Sequence, residues 1–145
     1  SLIALGSLDS TASIWDPRRL DNSLHTIRDH TDEILDICFD GVGRLLATSS
    51  SDCTAKVWNL SNSQFSCTSI MRGHADEVSK VCFSPSGALL MTASADKTAR
   101  LWITESGVCS QVLADHEAEV FSCAFSYAGD VIVTASKDNT CRLWR

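Results

Sequence analysis

Three residue types that hydrolytic enzymes use together recur at fixed spacing along this chain. In each copy a His precedes an Asp by 22 positions, and a Thr lies four positions before that Asp, with a Trp six positions after it. A hydroxyl nucleophile, a His base and an Asp that orients the His would suffice for covalent hydrolysis. The three sets are His30, Thr48, Asp52 and Trp58; His74, Thr92, Asp96 and Trp102; and His116, Thr134, Asp138 and Trp144.

Repetition of the whole set argues against a catalytic role. An enzyme needs one such site, whereas this chain carries three with the same internal spacing. Buried polar groups have to be paired, and a connected network of them fixes one arrangement of the strands and turns that carry it. We therefore interpret the three sets as structural, predict no catalytic residue and expect a protein that is not an enzyme.

Metal and nucleotide sites are also disfavoured. The three His residues belong to different repeats, each with its own local partners, whereas zinc usually takes four ligands that converge. The chain has no HExxH sequence, no phosphate-binding loop and no glycine-rich dinucleotide motif. We therefore expect neither a metal nor a cofactor.

The elements that position these residues repeat with the same period. Successive Trp residues are 43, 44 and 42 positions apart, counted from Trp15, and a period of about 40–45 residues is typical of propeller blades. Each repeat contains an alternating strand, a turn with Gly, an apolar strand, a tight turn around the Asp, a strand that ends at the Trp and a weaker fourth strand. The predicted strands are 34–40, 45–50, 54–58 and 65–71; 78–84, 89–94, 98–102 and 108–113; 120–126, 131–136 and 140–144; and 2–5, 12–16 and 24–28 in the first copy.

Four short strands per repeat predict an all-β fold, a β-propeller of which this chain forms an incomplete arc. We expect three blades at 29–72, 73–114 and 115–145, the last without its outer strand, and a partial blade at 1–28. A blade buries its faces only against neighbouring blades, and closed propellers usually have about 4–8 of them. We therefore interpret the chain as the C-terminal part of a longer propeller and expect the rest of that propeller as a partner.

Charge and hydropathy exclude two classes of partner. The formal net charge is −6, which disfavours nucleic acid because non-specific nucleic-acid binding needs a basic surface. No apolar run is long enough to cross a membrane and no signal-peptide pattern opens the chain. We predict a cytoplasmic protein that binds neither nucleic acid nor membrane.

We assign no function to the Cys residues or to a cation that recurs before the Trp of each full repeat. The seven Cys residues lack metal-finger spacing, so we expect buried, reduced thiols. A cation stands two positions before the Trp in each full repeat, and we expect it to be an exposed strand position. These cations are Lys56, Arg100 and Arg142.

The copies resemble WD repeats over the whole chain. The resemblance is carried by Gly73-His74, the turn around each Asp and the Trp that closes each third strand; the literal Trp-Asp pair occurs at Trp15-Asp16. It implies a hydrogen-bonded tetrad in each blade, from the Asp to the His, from the His to the Thr hydroxyl and from the hydroxyl to the Trp indole. In the first copy Leu5 stands where the Thr is expected, so we expect an incomplete network there.

The same resemblance implies a partner-binding face at the narrow end of the central channel. Three positions per blade would point there: the third and fifth after the His, and the one before the turn Asp. The third position is a Glu in each full repeat, which suggests an acidic rim suited to a basic segment with apolar anchors; alternatively, these Glu residues only maintain solubility. The predicted partner-binding residues are Glu33, Leu35, Ser51, Glu77, Ser79, Ala95, Glu119, Phe121 and Lys137.

Three stretches, 30–40, 73–87 and 119–145, resemble one subfamily of WD-repeat proteins, the outer-arm dynein assembly factors of ciliated cells. This resemblance implies an adaptor that helps to load preassembled outer dynein arms onto the intraflagellar transport machinery. The implied partners are outer-arm dynein subunits and the intraflagellar transport particle. The implied locations are the cytoplasm, the cilium or flagellum, and the basal body.

Two alternatives remain open. Trp15-Asp16-Pro17-Arg18 resembles the Trp-Asp-x-Arg box by which substrate receptors dock on the adaptor of a cullin-RING ubiquitin ligase, although Ala12 replaces an aliphatic residue expected upstream. The second alternative is a WD-repeat scaffold with no ciliary role, because a fold by itself does not specify a function.

Overall fold

The computed structural model describes residues 2–61 and 65–145, and within them the regular structure consists of short antiparallel strands. The predicted all-β fold is confirmed. The strands are β1 Ile3–Gly6, β2 Thr11–Trp15, β3 His25–Arg28, β4 Ile34–Phe39, β5 Leu45–Ser50, β6 Thr54–Asn59, β7 Ser66–Arg72, β8 Val78–Phe83, β9 Leu89–Ser94, β10 Ala99–Ile103, β11 Cys109–Leu113, β12 Val120–Phe125, β13 Ile132–Ser136 and β14 Cys141–Trp144.

In the described part of the chain these strands form four sheets in which sequence neighbours pair. The orders are β1-β2-β3, β4-β5-β6-β7, β8-β9-β10-β11 and β12-β13-β14. Strands β4, β8 and β12 approach one another and form the inner edges of their sheets. The arrangement is that of an incomplete propeller arc: within residues 2–61 and 65–145, the first sheet has no strand equivalent to β4 and the last has none equivalent to β7.

Apolar layers between consecutive sheets hold the arc together. Strands β5 and β6 are buried at successive positions, so both faces of the second sheet are covered. Repeat proteins gain most of their stability from such neighbour contacts. Representative buried residues are Ile14, Ile34 and Trp58 between the first and second sheets; Val57, Met71 and Trp102 between the second and third; and Met91, Leu101 and Val120 between the third and fourth.

The two end faces of the arc are open. Leu143 of β14 is 73% exposed, whereas Leu101, its equivalent in β10, is 7% exposed because the fourth sheet covers it. At the other end Ile3 and Leu5 of β1 are exposed. The same side chains that stabilise an inner sheet are therefore left in solvent at the ends.

The cysteines only partly follow the expectation of buried thiols. All seven lie within the described ranges and are free. Cys123 is buried and its Sγ lies 3.8 Å from that of Cys82 on the neighbouring inner strand. Cys141 is exposed, which contradicts the prediction, because it faces the open end of the fourth sheet where Ala99, its equivalent, is covered. Residues 2–61 and 65–145 contain no helix long and apolar enough to cross a membrane.

Candidate interaction surface

The structure brings all four members of each recurring set together. The His Nδ1 lies 2.7 Å from the Asp Oδ2 in all three blades, and the His Nε2 lies 2.7–2.8 Å from the Thr Oγ1. The Trp Nε1 donates to the same Thr Oγ1 over 2.8–3.1 Å. Since the indole N–H can only donate, the arrangement in which the Thr hydroxyl donates to the His and the His donates to the Asp satisfies every group.

Burial decides whether this triad-like geometry can do chemistry. Thr48, Thr92 and Thr134 are all 0% exposed, so no substrate can reach the hydroxyl that would have to act as nucleophile. A nucleophile has to contact the group it attacks. The sets therefore serve as buried polar networks that tie a loop, a turn and two strands together.

The turn Asp residues also hold the loops that surround them. Asp52 accepts hydrogen bonds from the backbone N–H groups of Thr31 and Thr54, at 3.2 and 2.9 Å, and from the Thr54 hydroxyl at 2.6 Å. Burial alone would raise the pKa of Asp52, but hydrogen bonds from Thr54 and His30 outweigh it and lower the pKa to about 2. Burial lowers the pKa of His30, against the opposing effect of Asp52. The network of the second sheet therefore contains an ionised Asp52 and a neutral His30 near pH 7.

In the first sheet a different residue accepts the hydrogen bond of the Trp indole. Leu5, which stands where the Thr is found elsewhere, is exposed. The Trp15 Nε1 instead donates to the Ser13 hydroxyl at 2.8 Å. The indole therefore has a partner although the tetrad is incomplete.

A β-bulge in each inner strand positions the rim residues. The pairing register shifts between Ile34 and Asp36, between Val78 and Lys80, and between Val120 and Ser122. The residue skipped in each case has no partner in the ladder, and bulges of this kind redirect a side chain. The skipped residues are Leu35, Ser79 and Phe121, which are the predicted fifth-after-His positions.

The other two predicted positions of each blade are joined by a backbone hydrogen bond. In all three blades the residue before the turn Asp donates its backbone N–H to the backbone carbonyl of the Glu that stands three positions after the His, over 2.9–3.0 Å. All nine predicted residues therefore lie at one end of the strands, the end that carries the turn Asp residues. The bonded pairs are Ser51 with Glu33, Ala95 with Glu77, and Lys137 with Glu119.

Charge on this rim is uneven. Lys137 forms an ion pair with Glu119, so these two predicted positions of the fourth sheet contribute no net charge. Asp32 and Asp76 are exposed beside Glu33 and Glu77. Among the described residues, their carboxylates accept hydrogen bonds only from the backbone N–H groups of those Glu residues, at 2.8 Å. The acidic part of the rim is therefore the stretch over the second and third sheets.

The cation two positions before each Trp was expected to be exposed, and for Lys56 this is wrong. Lys56 is 5% exposed, and its Nζ contacts the carboxylate of Asp29 at 2.7 Å and the carbonyl of Asp29 at 2.8 Å. Arg142 similarly contacts Asp115 at 2.7 Å. The signal in the sequence was an Asp 27 positions before the cation in both repeats.

One inter-blade contact was missed altogether. Asp36 of β4 accepts hydrogen bonds from the Lys80 ammonium at 3.2 Å and from the backbone N–H of Val81 at 3.0 Å, both in the next sheet. Asp36 and Lys80 occupy the same position of successive repeats, so no pattern within one repeat could have paired them.

Trp15-Asp16-Pro17-Arg18 begins at the last residue of β2 and continues past the end of that strand. The Arg18 guanidinium contacts the Asp16 carboxylate at 3.0 and 3.1 Å, and this contact lowers the pKa of Asp16 to about 2. The Arg18 side chain remains exposed. Residues 2–61 and 65–145 contain no group of three or more metal-ligating side chains that could hold an ion.

Three segments of the chain, residues 21–59, 65–102 and 107–145, match the family described as WD domain, G-beta repeat. Similar relatives include the nuclear distribution protein PAC1 of Tuber melanosporum, 42% identical over 64 residues, which are 43% of this chain and 14% of that protein. Another is the U4/U6 small nuclear ribonucleoprotein PRP4-like protein of Arabidopsis thaliana, 33% identical over 39% of this chain and 10% of that protein. A third, the gastrulation defective protein 1 homolog of Drosophila melanogaster, is 41% identical over 41% of this chain and 10% of that protein. The chain thus spans at most 14% of the length of these three relatives.

Proposed function

Because this chain belongs to the WD40 family, we propose that it acts as a non-catalytic scaffold and binds other proteins through its rim. The observation that carries the proposal is the bulge in each inner strand, which places Leu35 and Phe121 beside the acidic positions. Phe121 is 49% exposed although it is a large apolar residue. Apolar side chains surrounded by charge on an otherwise polar face are typical of protein interfaces.

The partner segment that suits this rim is basic and carries apolar anchors. Glu33, Glu77, Asp32 and Asp76 provide carboxylates over two adjacent sheets, and those of the two Asp residues contact only neighbouring backbone N–H groups among the described residues. Opposite charge accelerates encounter and fixes the register of a partner. An apolar side chain placed against Leu35 or Phe121 would then supply burial.

At a finer level, we propose that the chain is part of an adaptor for axonemal outer dynein arms. The support is the resemblance of 30–40, 73–87 and 119–145 to the outer-arm dynein assembly factors. Its partners would be outer-arm dynein subunits and the intraflagellar transport particle, and it would act in the cytoplasm, at the basal body and in the cilium. A rigid arc of sheets suits this role because it can hold cargo and carrier at separate positions.

The test is affinity purification of the full-length protein from ciliating cells, followed by mass spectrometry. A Glu33→Lys/Glu77→Lys variant reverses the acidic stretch. An Asp21→Lys/Asp130→Lys variant makes the same change in net charge at exposed positions near the other end of the strands and is the matched control. We expect dynein-arm and transport proteins with the wild type and the control, and their loss with the rim variant.

The outcomes separate the role from the site. Recovery of those proteins with both variants would keep the adaptor role and overturn the rim as its site. Recovery of other proteins that depend on the rim would support the scaffold and overturn the ciliary role. Recovery of ubiquitin-ligase components in their place would favour the second candidate.

That second candidate, a substrate receptor of a cullin-RING ubiquitin ligase, has one favourable observation, the exposed guanidinium of Arg18. Arg18→Ala removes that group and leaves the buried layers untouched. Loss of binding to the ligase adaptor would favour the receptor, and unchanged binding of all partners would remove its support.

A further inference from the structure

A groove lies between the second and third sheets, at the end of the strands opposite to the rim. Its volume is about 380 Å³, and it is open to solvent on one side. This volume lies within the range of sites that hold a small ligand or a large side chain. It is lined by Leu45, Thr68, Ala88, Ile103, Thr104 and Glu105, together with Gly87.

The equivalent position between the first and second sheets is filled. Leu60 and Thr104 correspond, because each directs its backbone N–H to a matching carbonyl, that of Arg44 at 2.8 Å and that of Ala88 at 3.0 Å. Leu60 packs into the apolar layer between its sheets. Phe65 packs into the same layer and stacks on His25 with ring centroids 4.9 Å apart.

The third sheet carries neither of these two apolar groups. Thr104 replaces the Leu, and the turn after it contains no aromatic residue before β11 begins. Gly107 allows this turn to lie close to Ile70 of β7, since a Cβ at position 107 would lie only 2.6 Å from the Ile70 carbonyl oxygen. The groove is therefore the place that a leucine and a phenylalanine occupy one blade earlier.

Two polar side chains of the lining, those of Thr104 and Glu105, differ in their exposure. Thr104 is 5% exposed, and its Oγ1 is buried with no hydrogen-bond partner anywhere in the part of the chain that the structure describes. Because this hydroxyl is enclosed, an occupant of the groove does not reach it, and the groove offers that occupant mainly apolar surface. Glu105 adds an exposed carboxylate at the mouth of the groove.

We propose that this groove is a second docking site, which takes a phenylalanine or leucine side chain of a partner protein next to a Lys or Arg. The apolar side chain reproduces the packing of Leu60 and Phe65. The cation pairs with the exposed carboxylate of Glu105. The groove lies at the opposite strand ends from the rim, so it could be occupied while the rim is bound.

The probe is a biotin-tagged Gly-Lys-benzoylphenylalanine-Gly amide, photocrosslinked to the full-length protein and located by mass spectrometry of peptides. We expect crosslinks in the segments that contain Leu45 and Ile103. Acetyl-Lys-Phe amide should compete, acetyl-Lys-Ala amide should not, and acetyl-Glu-Phe amide should compete less well. Glu105→Lys should reverse the order of the Lys and Glu competitors.

Thr104→Leu copies the side chain that fills the preceding groove and should lower crosslinking by about tenfold, the effect of losing one well-buried anchor. Thr104→Val has nearly the shape of the original residue and leaves the groove open, so most of the crosslinking should remain. If Thr104→Leu fails to fold, Ala88→Phe closes the mouth from an exposed position and should have the same effect.

Crosslinks outside the groove, or crosslinks that neither filling variant reduces, would overturn the proposal. Competition by free indole without competition by acetyl-Lys-Phe amide would also overturn it, because the groove would then be a small-molecule site. Saturable labelling that Thr104→Leu or Ala88→Phe removes, with the expected order of competitors, would support it.

Discussion

At the scale of single residues, the tetrads show how burial changes the meaning of a motif. His, Thr and Asp are residue types that form hydrolytic triads, and in the structure they lie within the hydrogen-bond distances that a triad requires. Complete burial of the Thr hydroxyl removes that function. What remains is a network in which the deletion of any member leaves at least one neighbour without its partner.

Asp96→Ala tests this network. We expect the free energy of unfolding of the full-length protein to fall by about 1–3 kcal/mol, because His74 and the backbone N–H groups of Ala75 and Thr98 lose their acceptor. Chemical denaturation measures the change. Asp76→Ala, which removes one exposed hydrogen bond, is the control and should change stability little. Loss of partner binding by Asp96→Ala with unchanged stability would contradict the structural assignment.

Acid should destabilise the protein in two steps through the same network. His30 has a lowered pKa in the folded state, so the unfolded state binds its proton first and stability falls as pH drops below about 6.5. The pKa of Asp52 is about 2, below its unfolded value, so its contribution is present above about pH 4 and is lost as pH falls toward 2.

Melting temperatures of the full-length protein between pH 7 and pH 2.5 measure both steps. Asp52→Asn should lower the melting temperature at pH 7 and make the decline below pH 4 less steep, because one of the three turn Asp residues with a lowered pKa is gone. A decline below pH 4 that is equally steep in wild type and variant would place the acid sensitivity in other groups.

At the scale of elements, tight turns carry backbone conformations that favour glycine. Gly107 has φ +70° and its Cβ position lies 2.6 Å from the Ile70 carbonyl oxygen, whereas Gly87 has φ +73° and nothing within 4 Å of its Cβ position. Both Gly→Ala variants incur the left-handed cost of about 1–2 kcal/mol. Gly107→Ala should cost more, because the strand or the turn must also shift. Equal losses of stability in the two variants would show that the turn moves freely.

Strands were predictable because their signals are local. Alternation, Gly turns and the Asp turn specify each strand within a few residues, and the 22-residue interval from His to Asp repeats them. Contacts between repeats were not predictable in this way. The ion pair of Asp36 with Lys80 joins two successive sheets, and the groove depends on Thr104 standing where Leu60 stands one blade earlier.

At the scale of the whole molecule, the open ends set the behaviour of the isolated chain. Strand β14 pairs on one side only within the described residues, and Val133 and Leu143 project from its sheet into solvent. Apolar end faces and unpaired edges promote association with other chains. We therefore expect residues 1–145 alone to be poorly stable and to associate in a concentration-dependent way.

Leu143→Asp separates exposure of this face from general instability. Leu143 is already in solvent, so the charge should reduce association seen by sedimentation velocity without lowering the melting temperature. The matched control is Leu101→Asp, the equivalent buried position; it places a charge in the layer between the third and fourth sheets and should unfold the chain. A sharp, concentration-independent melt of the wild-type chain would contradict the expectation, since it would mean that the arc is stable without a neighbour on its open faces.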